Sequence, residues 1–297
     1  MAHGFASCGA VLAFTMVFAA PPAGGLAQAD AQQARQQRAQ EPPIVLVPHR
    51  AIYDLSLAEA RDNAQVVGVR GRILYDFSGS ACDGYSLQFR QVSELDSGEG
   101  KAATSDLRTT TWEGGDAKRF RFASQNFLDQ NLVDSVDGHA ERGIKTTAVS
   151  LAKPEHKVLH VGAGVVFPTE HMLRVIAAAR AAKTILNFPV YDGSDTGEKV
   201  YDTLTVIGRE LGSNERRHDD AAAKEPNLVG VPRWPVTISY FDRGSKKSGS
   251  GERTPVYTIS FELYENGISR ALSLDYNDFV IAGKLVSLDI KKPKPCH

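Results

Sequence analysis

The sequence predicts a mainly β protein, an antiparallel meander of strands with one central α-helix over about residues 169–182. Two observations predict the strands. Apolar and polar residues alternate with a period of two through most of the chain, which is typical of strands with one buried face. Short polar turns separate these runs, which favours antiparallel neighbours. A third observation places the helix, because one segment has helical spacing instead.

The alternation begins at Ile44 and continues almost to the end of the chain. Between residues 50 and 57, for example, Ala51, Tyr53 and Leu55 share one face. We expect a dozen or more strands, near residues 50–57, 67–77, 85–90, 107–113, 118–123, 132–137, 144–151, 156–161, 185–191, 200–206, 234–241, 257–263, 272–276 and 286–290. The dipeptide Asn266-Gly267 predicts a two-residue type I′ hairpin between two of them.

The helix is predicted to start at Pro168-Thr169, and its apolar positions recur with helical spacing. Arg180 and Lys183 lie near its carboxyl end, where the helix dipole favours cations. No change in composition marks a linker, so residues 44–297 are expected to form a single domain. Two charged or glycine-rich stretches, 212–232 and 243–254, are predicted to be long solvated loops.

The amino terminus resembles a secretory signal peptide over residues 1–29. A small apolar run from Ala6 to Ala20 precedes Ala27-Gln28-Ala29, an A-x-A cleavage site. Met1 to Phe5 contain no Lys or Arg, which leaves open a start codon further upstream. Residues 30–43 are rich in Gln and Ala and end in Pro-Pro, so they predict a disordered lead-in. The mature protein is therefore expected to be exported.

Charge and cysteine content narrow the function classes. The chain has 34 Lys plus Arg against 35 Asp plus Glu, a net charge of -1 that gives no electrostatic reason to bind nucleic acid. No segment after Asp30 approaches the roughly 20 apolar residues of a membrane span. The three cysteines are Cys8, Cys82 and Cys296, and two remain if Cys8 leaves with the leader.

Two motifs in the middle of the chain resemble ligand-binding sites, but each lacks a feature that such a site requires. On a helix, the spacing of His156 and His160 would let both side chains bind one metal ion. The residues around them predict a strand instead, where the two histidines would lie about 13 Å apart. Gly162-Ala163-Gly164 resembles a dinucleotide-binding turn, but Phe167 occupies the third glycine position. We therefore expect an ordinary turn there, and neither a metal nor a cofactor.

The segment Asp192–Gly197 has three interpretations. Asp195-Thr196-Gly197 matches the motif of aspartic proteases, but that chemistry needs two copies and the chain has one. The segment also resembles a calcium loop, except that Thr203 stands where the bidentate Glu belongs. The favoured prediction is a tight polar hairpin, with Asp192 and Asp195 kept as possible loop functional residues. His171, at the helix start, is the one acid-base candidate, and no assembled catalytic set is predicted.

Several dispersed strings follow one another in the chain, and two of them contain the cysteines of its body and its end. They are Pro48-His49-Arg50-Ala51-Ile52-Tyr53, Cys82-Asp83-Gly84-Tyr85, Phe167-Pro168-Thr169-Glu170-His171, Tyr191-Asp192-Gly193-Ser194-Asp195, Val200-Tyr201-Asp202-Thr203 and Pro295-Cys296. Together these strings resemble the EipB-like family of periplasmic cell-envelope integrity proteins of alphaproteobacteria. The resemblance runs from about residue 44 to 296.

The resemblance implies that the antiparallel sheet curls into a β-spiral or open barrel, and that Cys82 forms a disulfide with Cys296. It further implies a periplasmic location, a role in envelope integrity and a functional link to a periplasmic tetratricopeptide-repeat protein. It supplies no catalytic residues.

Two functions from different classes follow as hypotheses. The first is a non-enzymatic periplasmic protein that supports envelope integrity by binding a protein or peptide partner. The second is a carrier of lipid, lipoprotein or another apolar ligand in the open barrel, with the helix as a lid. A hydrolase that uses His171 or Asp195 is a third and weaker hypothesis.

Overall fold

The computed structural model describes residues 42–62, 64–98, 100, 102–212, 215, 218–244 and 253–292. The predicted signal peptide, the lead-in except for Pro42 and Pro43, Cys8 and Cys296 lie outside the described residues. The strands are β1 (His49–Ala60), β2 (Gly68–Ser80), β3 (Gly84–Asp96), β4 (Ala102–Glu113), β5 (Arg119–Leu128), β6 (Asn131–Arg142), β7 (Thr146–Lys153), β8 (Lys157–Gly162), β9 (Ile185–Val190), β10 (Tyr201–Ile207), β11 (Arg233–Asp242), β12 (Tyr257–Tyr264), β13 (Ser269–Asp275) and β14 (Phe279–Ile290). The α-helix is α1 (Pro168–Arg180), and two short 3-10 helices cover Ala221–Lys224 and Pro226–Leu228.

The fourteen strands of the described residues all belong to one antiparallel sheet, in the order β8-β7-β6-β5-β4-β3-β2-β1-β14-β13-β12-β11-β10-β9. The predicted meander is confirmed. The first and last strands, β1 and β14, pair in the middle of the sheet, while β8 and β9 form its two outer edges, so the sheet is not closed. Helix α1 connects these two edge strands, and Val166 just before it makes one parallel bridge to Val190 at the end of β9.

The inward face of the sheet is covered by three hydrophobic clusters, and a different connecting segment packs into each. Helix α1 contributes Val175 and Ile176 to the cluster around Trp234. Tyr191, which follows β9, packs with Phe120 in the second cluster. The two 3-10 helices contribute buried alanine and leucine side chains to the third. Connections that run through the interior therefore fill it with side chains.

Helix α1 begins and ends close to its predicted bounds. Its buried face includes His171, Val175 and Ile176, which follow the helical period. The helix ends because Ala182 adopts a positive φ of 53°, and the Lys183 N–H donates to the Ala178 carbonyl. This is a left-handed carboxyl-terminal cap, here without the usual glycine. None of the helices in the described part of the chain is both long and apolar enough to cross a membrane.

Two local predictions are wrong. The hairpin at Asn266-Gly267 is not type I′, because only Gly267 has a positive φ. Tyr264 pairs with Ile268, and three residues lie between them. A three-residue loop takes a type I turn followed by one left-handed residue.

The segment 212–232, predicted as a solvated loop, instead packs against the sheet. Within its described residues, Asp220 is buried and forms an ion pair with Arg270 at 2.8 Å. Ala222 and Leu228 join the interior cluster. The many charged residues of this segment and its lack of hydrophobic periodicity predicted a solvated loop, but Asp220 forms a buried ion pair inside the fold. For the other predicted loop, 243–254, only its ends lie among the described residues.

Candidate functional site

A large concave surface lies on the outward face of the sheet. The alternation that buries Phe120 and Phe122 turns Arg119 and Arg121 outward on β5. The concavity has a volume of about 850 Å³, within the roughly 300–1,000 Å³ typical of ligand pockets. We call it the outward groove. Its outward-facing side chains are those of Ser86, Gln88, Thr110, Trp112, Arg119, Arg121, Ala123, Asp137, His139, Glu141, Ser150, Ala152 and His156.

Trp112 holds two arginines at one end of this groove. The guanidinium carbons of Arg119 and Arg121 lie 5.6 and 5.4 Å from the indole centroid. Both distances are within the cation-π range of about 6 Å. The indole Nε1 donates to the Asp83 carbonyl at 3.3 Å. These contacts form a unit that we call the Trp112 platform, consisting of Trp112, Arg119 and Arg121.

The turn between β2 and β3 fixes the position of this indole. Gly84 has a φ of +82°, and a Cβ added there would lie 2.8 Å from two carbons of the Trp112 ring. The turn itself is closed by Ser80, whose hydroxyl accepts from the backbone N–H groups of Cys82 and Asp83. The string Cys82-Asp83-Gly84-Tyr85 therefore supports the Trp112 platform.

We expect Gly84→Ala to move the indole and destabilise the protein by about 2 kcal/mol. The methyl group would meet the ring, and alanine is strained at this positive φ. Trp112 fluorescence should shift, because the indole leaves its carbonyl partner. Gly164→Ala is the matched control, since a Cβ there meets no atom of the described residues within 4 Å. Unchanged fluorescence and melting in Gly84→Ala would contradict the support assigned to this turn.

The groove carries charges without partners. Among the described residues, no carboxylate forms an ion pair with Arg119 or Arg121, and no cation pairs with Asp137 or Glu141. Yet Arg119 lies directly across from Glu141 in the ladder between β5 and β6. The two arginines turn toward the indole on β4 instead. By contrast, Arg90 and Arg108 on the same face both pair with Asp106, at 2.9 and 2.7 Å.

Cys82, one of the two cysteines of the predicted disulfide, occupies the same turn. Its predicted partner, Cys296, lies outside the described residues, so the pairing stays a prediction. The strand register supports it. His49 of β1 pairs with both Phe77 of β2 and Ile290 of β14, so β2 and β14 leave the sheet at the same end. Cys296 follows the last described residue by four positions, a reach of roughly 13 Å.

The start of helix α1 is capped from the sheet by Glu113, which the sequence did not single out. Its carboxylate accepts from the backbone N–H groups of Thr169 and Glu170 at 2.7 and 2.9 Å. The helix has no side-chain cap of its own, so Glu113 supplies the partners that the first turn lacks. Burial of the carboxyl raises its pKa to about 7, although the two N–H groups act in the opposite direction.

His171, the acid-base candidate, points into the interior beside this cap and is 4% exposed. Its Nε2 lies 3.4 Å from the Thr205 hydroxyl, and its ring packs edge-on against Phe188. Burial lowers its pKa to about 4, and Arg174 adds to this effect. A neutral, buried imidazole at this position supports the helix rather than facing the outward groove.

The segment Asp192–Gly197 connects β9 and β10, which pair antiparallel as expected. It packs into the interior, because Gly193 lies so close to the Phe122 ring that a Cβ there would be 2.4 Å away. Asp192 accepts from the Ser194 backbone N–H. Asp195 accepts from the Tyr201 hydroxyl and pairs with Lys199 at 3.0 Å. The two carboxylates are therefore already engaged within the loop or with its neighbours.

Metal ligation finds no support in the described part of the chain. Its histidines, cysteine and carboxylates include no group of three that could hold an ion. His160 lies on β8, and His156 just before it. Gly162-Ala163-Gly164 ends that strand in a turn, as predicted.

Neither the Trp112 platform nor the cap by Glu113 was predicted from the sequence. One signal was available, since Arg119-Phe120-Arg121-Phe122 alternates two cations with two large apolar residues. That pattern places both arginines on the exposed face of one strand. No local signal could show that Trp112 of the preceding strand stands beside them.

Comparisons with known proteins agree with this structure. A model of the EipB-like family matches residues 40–292. The cell envelope integrity protein EipB of Brucella abortus (strain 2308) is 40% identical over 247 residues, which cover 83% of this chain and 85% of the relative. A crystal structure of a beta-barrel-like protein of a domain of unknown function from Brucella abortus matches with a TM-score of 0.76 and 39% identity. That match covers 84% of this chain and all of the other. The chain therefore belongs to the EipB-like family.

Proposed function

We propose that this protein is exported to the periplasm and supports cell-envelope integrity by binding a protein or peptide partner in the outward groove. The envelope role is supported by the relative, which is named a cell envelope integrity protein. The single observation that carries the binding site is the Trp112 platform, two arginines held over one indole and without a carboxylate partner among the described residues. Exposed groups held in a fixed arrangement and left unpaired are typical of a recognition surface.

The packing of the interior favours this site over an internal carrier cavity. An apolar ligand would need space lined by Leu, Val and Phe inside the curled sheet. Helix α1, the segment 191–200 and the 3-10 helices instead fill the three described clusters. A second concavity of about 480 Å³ near Phe188, Leu204 and Phe241 is open to solvent, and Arg253 lies at its side. It is smaller than the outward groove and is not enclosed.

Binding, rather than catalysis, also agrees with the positions of the candidate residues. His171 is buried beside Thr205, and Asp195 is held by Tyr201 and Lys199. Neither faces the outward groove. A tetratricopeptide-repeat protein of the periplasm remains a proposed partner.

Site-specific crosslinking tests this proposal. A photo-reactive amino acid replaces Ala123, an exposed residue of the outward groove, in the full chain expressed in its own host. We expect light to produce an adduct with an envelope protein or peptide. The matched control places the same group at Ser56, which is exposed on β1 at a distance from the groove.

The outcomes separate the two hypotheses. An adduct at Ala123 that disappears in Arg119→Ala/Arg121→Ala supports partner binding. Equal adducts at both positions, or none at Ala123 under envelope stress, would contradict it. Recovery of lipid with the gently extracted protein, together with no groove adduct, would favour the carrier.

A further inference from the structure

The charges of the outward groove indicate what kind of segment it takes. We propose that it binds an extended peptide of mixed charge, with a carboxylate of the peptide on Arg119 and Arg121 and a neighbouring basic side chain facing Asp137 and Glu141. This inference rests on the proposed function and names the chemistry of the partner at that site.

The carboxylate site follows from the Trp112 platform. Guanidinium groups present several N–H donors in a planar fork that matches a carboxylate. Arg119 and Arg121 are two residues apart on one strand, and both side chains extend from the same face at a spacing of roughly 7 Å. Their contacts with the indole restrict their rotamers before any ligand arrives, which lowers the entropy lost on binding.

The indole is not free to act as a sugar platform. Both guanidinium groups lie over the Trp112 ring, and its other surroundings include the Gly84 backbone. A sugar ring would have to displace the arginines to stack on an indole face that they cover. The unit offers N–H donors to the groove, and these recognise an anion.

A second row of charge distinguishes a peptide from a phosphate-rich polyanion. On β6, Asp137 and Glu141 face the groove, across from Ala123 and Arg119 on β5. Directly opposite side chains in a sheet are about 5 Å apart at Cβ. Among the charged residues that line the groove, two arginines balance two carboxylates. A polyanion would be repelled by the β6 row, whereas a peptide with both signs satisfies both rows.

The polar lining suits a peptide as well. Ser86, Gln88 and Thr110 face the groove beside the Trp112 platform, and Ser150 faces it from β7. Hydroxyl and amide side chains both donate and accept, as peptide backbone groups require.

Fluorescence anisotropy with labelled peptides tests the inference on the full mature chain. The probe is a peptide of repeated Ser-Glu-Ser-Lys units, compared with versions in which Gln replaces every Glu or every Lys. We expect the mixed-charge peptide to bind at least about tenfold more tightly than either version, a difference of about 1.4 kcal/mol. Inorganic polyphosphate should compete weakly.

Paired variants show whether the arginines carry this preference. Arg119→Ala/Arg121→Ala should remove the advantage of Glu over Gln, while Asp137→Asn/Glu141→Gln should remove the advantage of Lys over Gln. Arg90→Ala/Arg108→Ala is the control, because it also removes two positive charges from the outward face of the sheet. These two arginines already pair with Asp106. The control variant should leave the preference unchanged.

Two results would overturn the inference. One is equal binding of all three peptides, and the other is tighter binding of polyphosphate than of the mixed-charge peptide. If either result is found and crosslinking still gives an adduct at Ala123 that depends on Arg119 and Arg121, the mixed-charge peptide is rejected as the ligand class and the proposed function stands. The same result with no adduct rejects both.

Discussion

Cys82→Ser is expected to lower the melting temperature by roughly 5–15 °C, because removal of a native disulfide typically costs about 2–5 kcal/mol. The predicted bridge to Cys296 closes most of the mature chain into one loop. In the chain-entropy model such a loop restricts the unfolded state by about 5 kcal/mol. The expected loss is therefore near the upper end of the range.

Cys296→Ser should lower the melting temperature by the same amount, and the double variant should lose no more than either single one. This non-additivity is the signature of one shared bond. A thiol assay should find no free thiol in the mature protein under non-reducing conditions. A melting temperature unchanged by Cys82→Ser would contradict the bridge, and an additive double variant would contradict the pairing.

Glu113→Gln and His171→Gln are expected to change the pH dependence of stability in opposite directions. Glu113 has a folded pKa of about 7, above its ordinary value of 4.5. The folded state therefore binds the extra proton between these values, and stability falls as pH rises from about 4.5 to 7. The full difference amounts to about 3 kcal/mol.

His171 contributes the reverse slope. Its folded pKa of about 4 lies below its ordinary value of 6.5. The unfolded state binds the extra proton between these values, so stability falls as pH drops from about 6.5 to 4. In the wild type the two slopes oppose each other between about pH 4.5 and 6.5. The first turn of helix α1 therefore contacts one buried group, Glu113, and contains another, His171, and their titrations change stability in opposite directions.

Thermal melts from pH 4 to 8 separate these contributions. Relative to the wild type, Glu113→Gln should gain stability with rising pH between about 4.5 and 7. His171→Gln should lose stability with rising pH between about 4 and 6.5. Only slopes are compared, so a constant loss of stability in either variant does not matter. Curves parallel to the wild type in both variants would show that neither group titrates as its burial indicates.

The sheet could be predicted from the sequence because strand alternation is a local signal. The fourteen predicted runs correspond to the fourteen strands, and helix α1 starts at the predicted Pro168. The resemblance added the open, curled sheet, which no single strand reveals. The hairpin at Asn266-Gly267 shows where local rules stop. The same dipeptide fits loops of two and three residues, and the register of the flanking strands decides between them.

The candidate site could not be predicted, because its parts meet only through the sheet. Trp112 and Arg121 are directly opposite on neighbouring strands, and Gly84 approaches the indole from a third segment. Glu113 meets the helix start more than fifty positions away along the chain. His171 was correctly placed at the helix start, but only the packing of Thr205 and Phe188 around it shows that it is buried.

Complementation with the groove variant tests the central claim most directly. In the host, Arg119→Ala/Arg121→Ala replaces the natural protein, and survival under a detergent or a cell-wall antibiotic measures envelope integrity. Circular dichroism and melting establish that the variant is folded, and Arg90→Ala/Arg108→Ala is the matched control. If the outward groove is the functional site, the folded groove variant will fail to restore survival, while the control variant will restore it. Full restoration by the groove variant would contradict this claim.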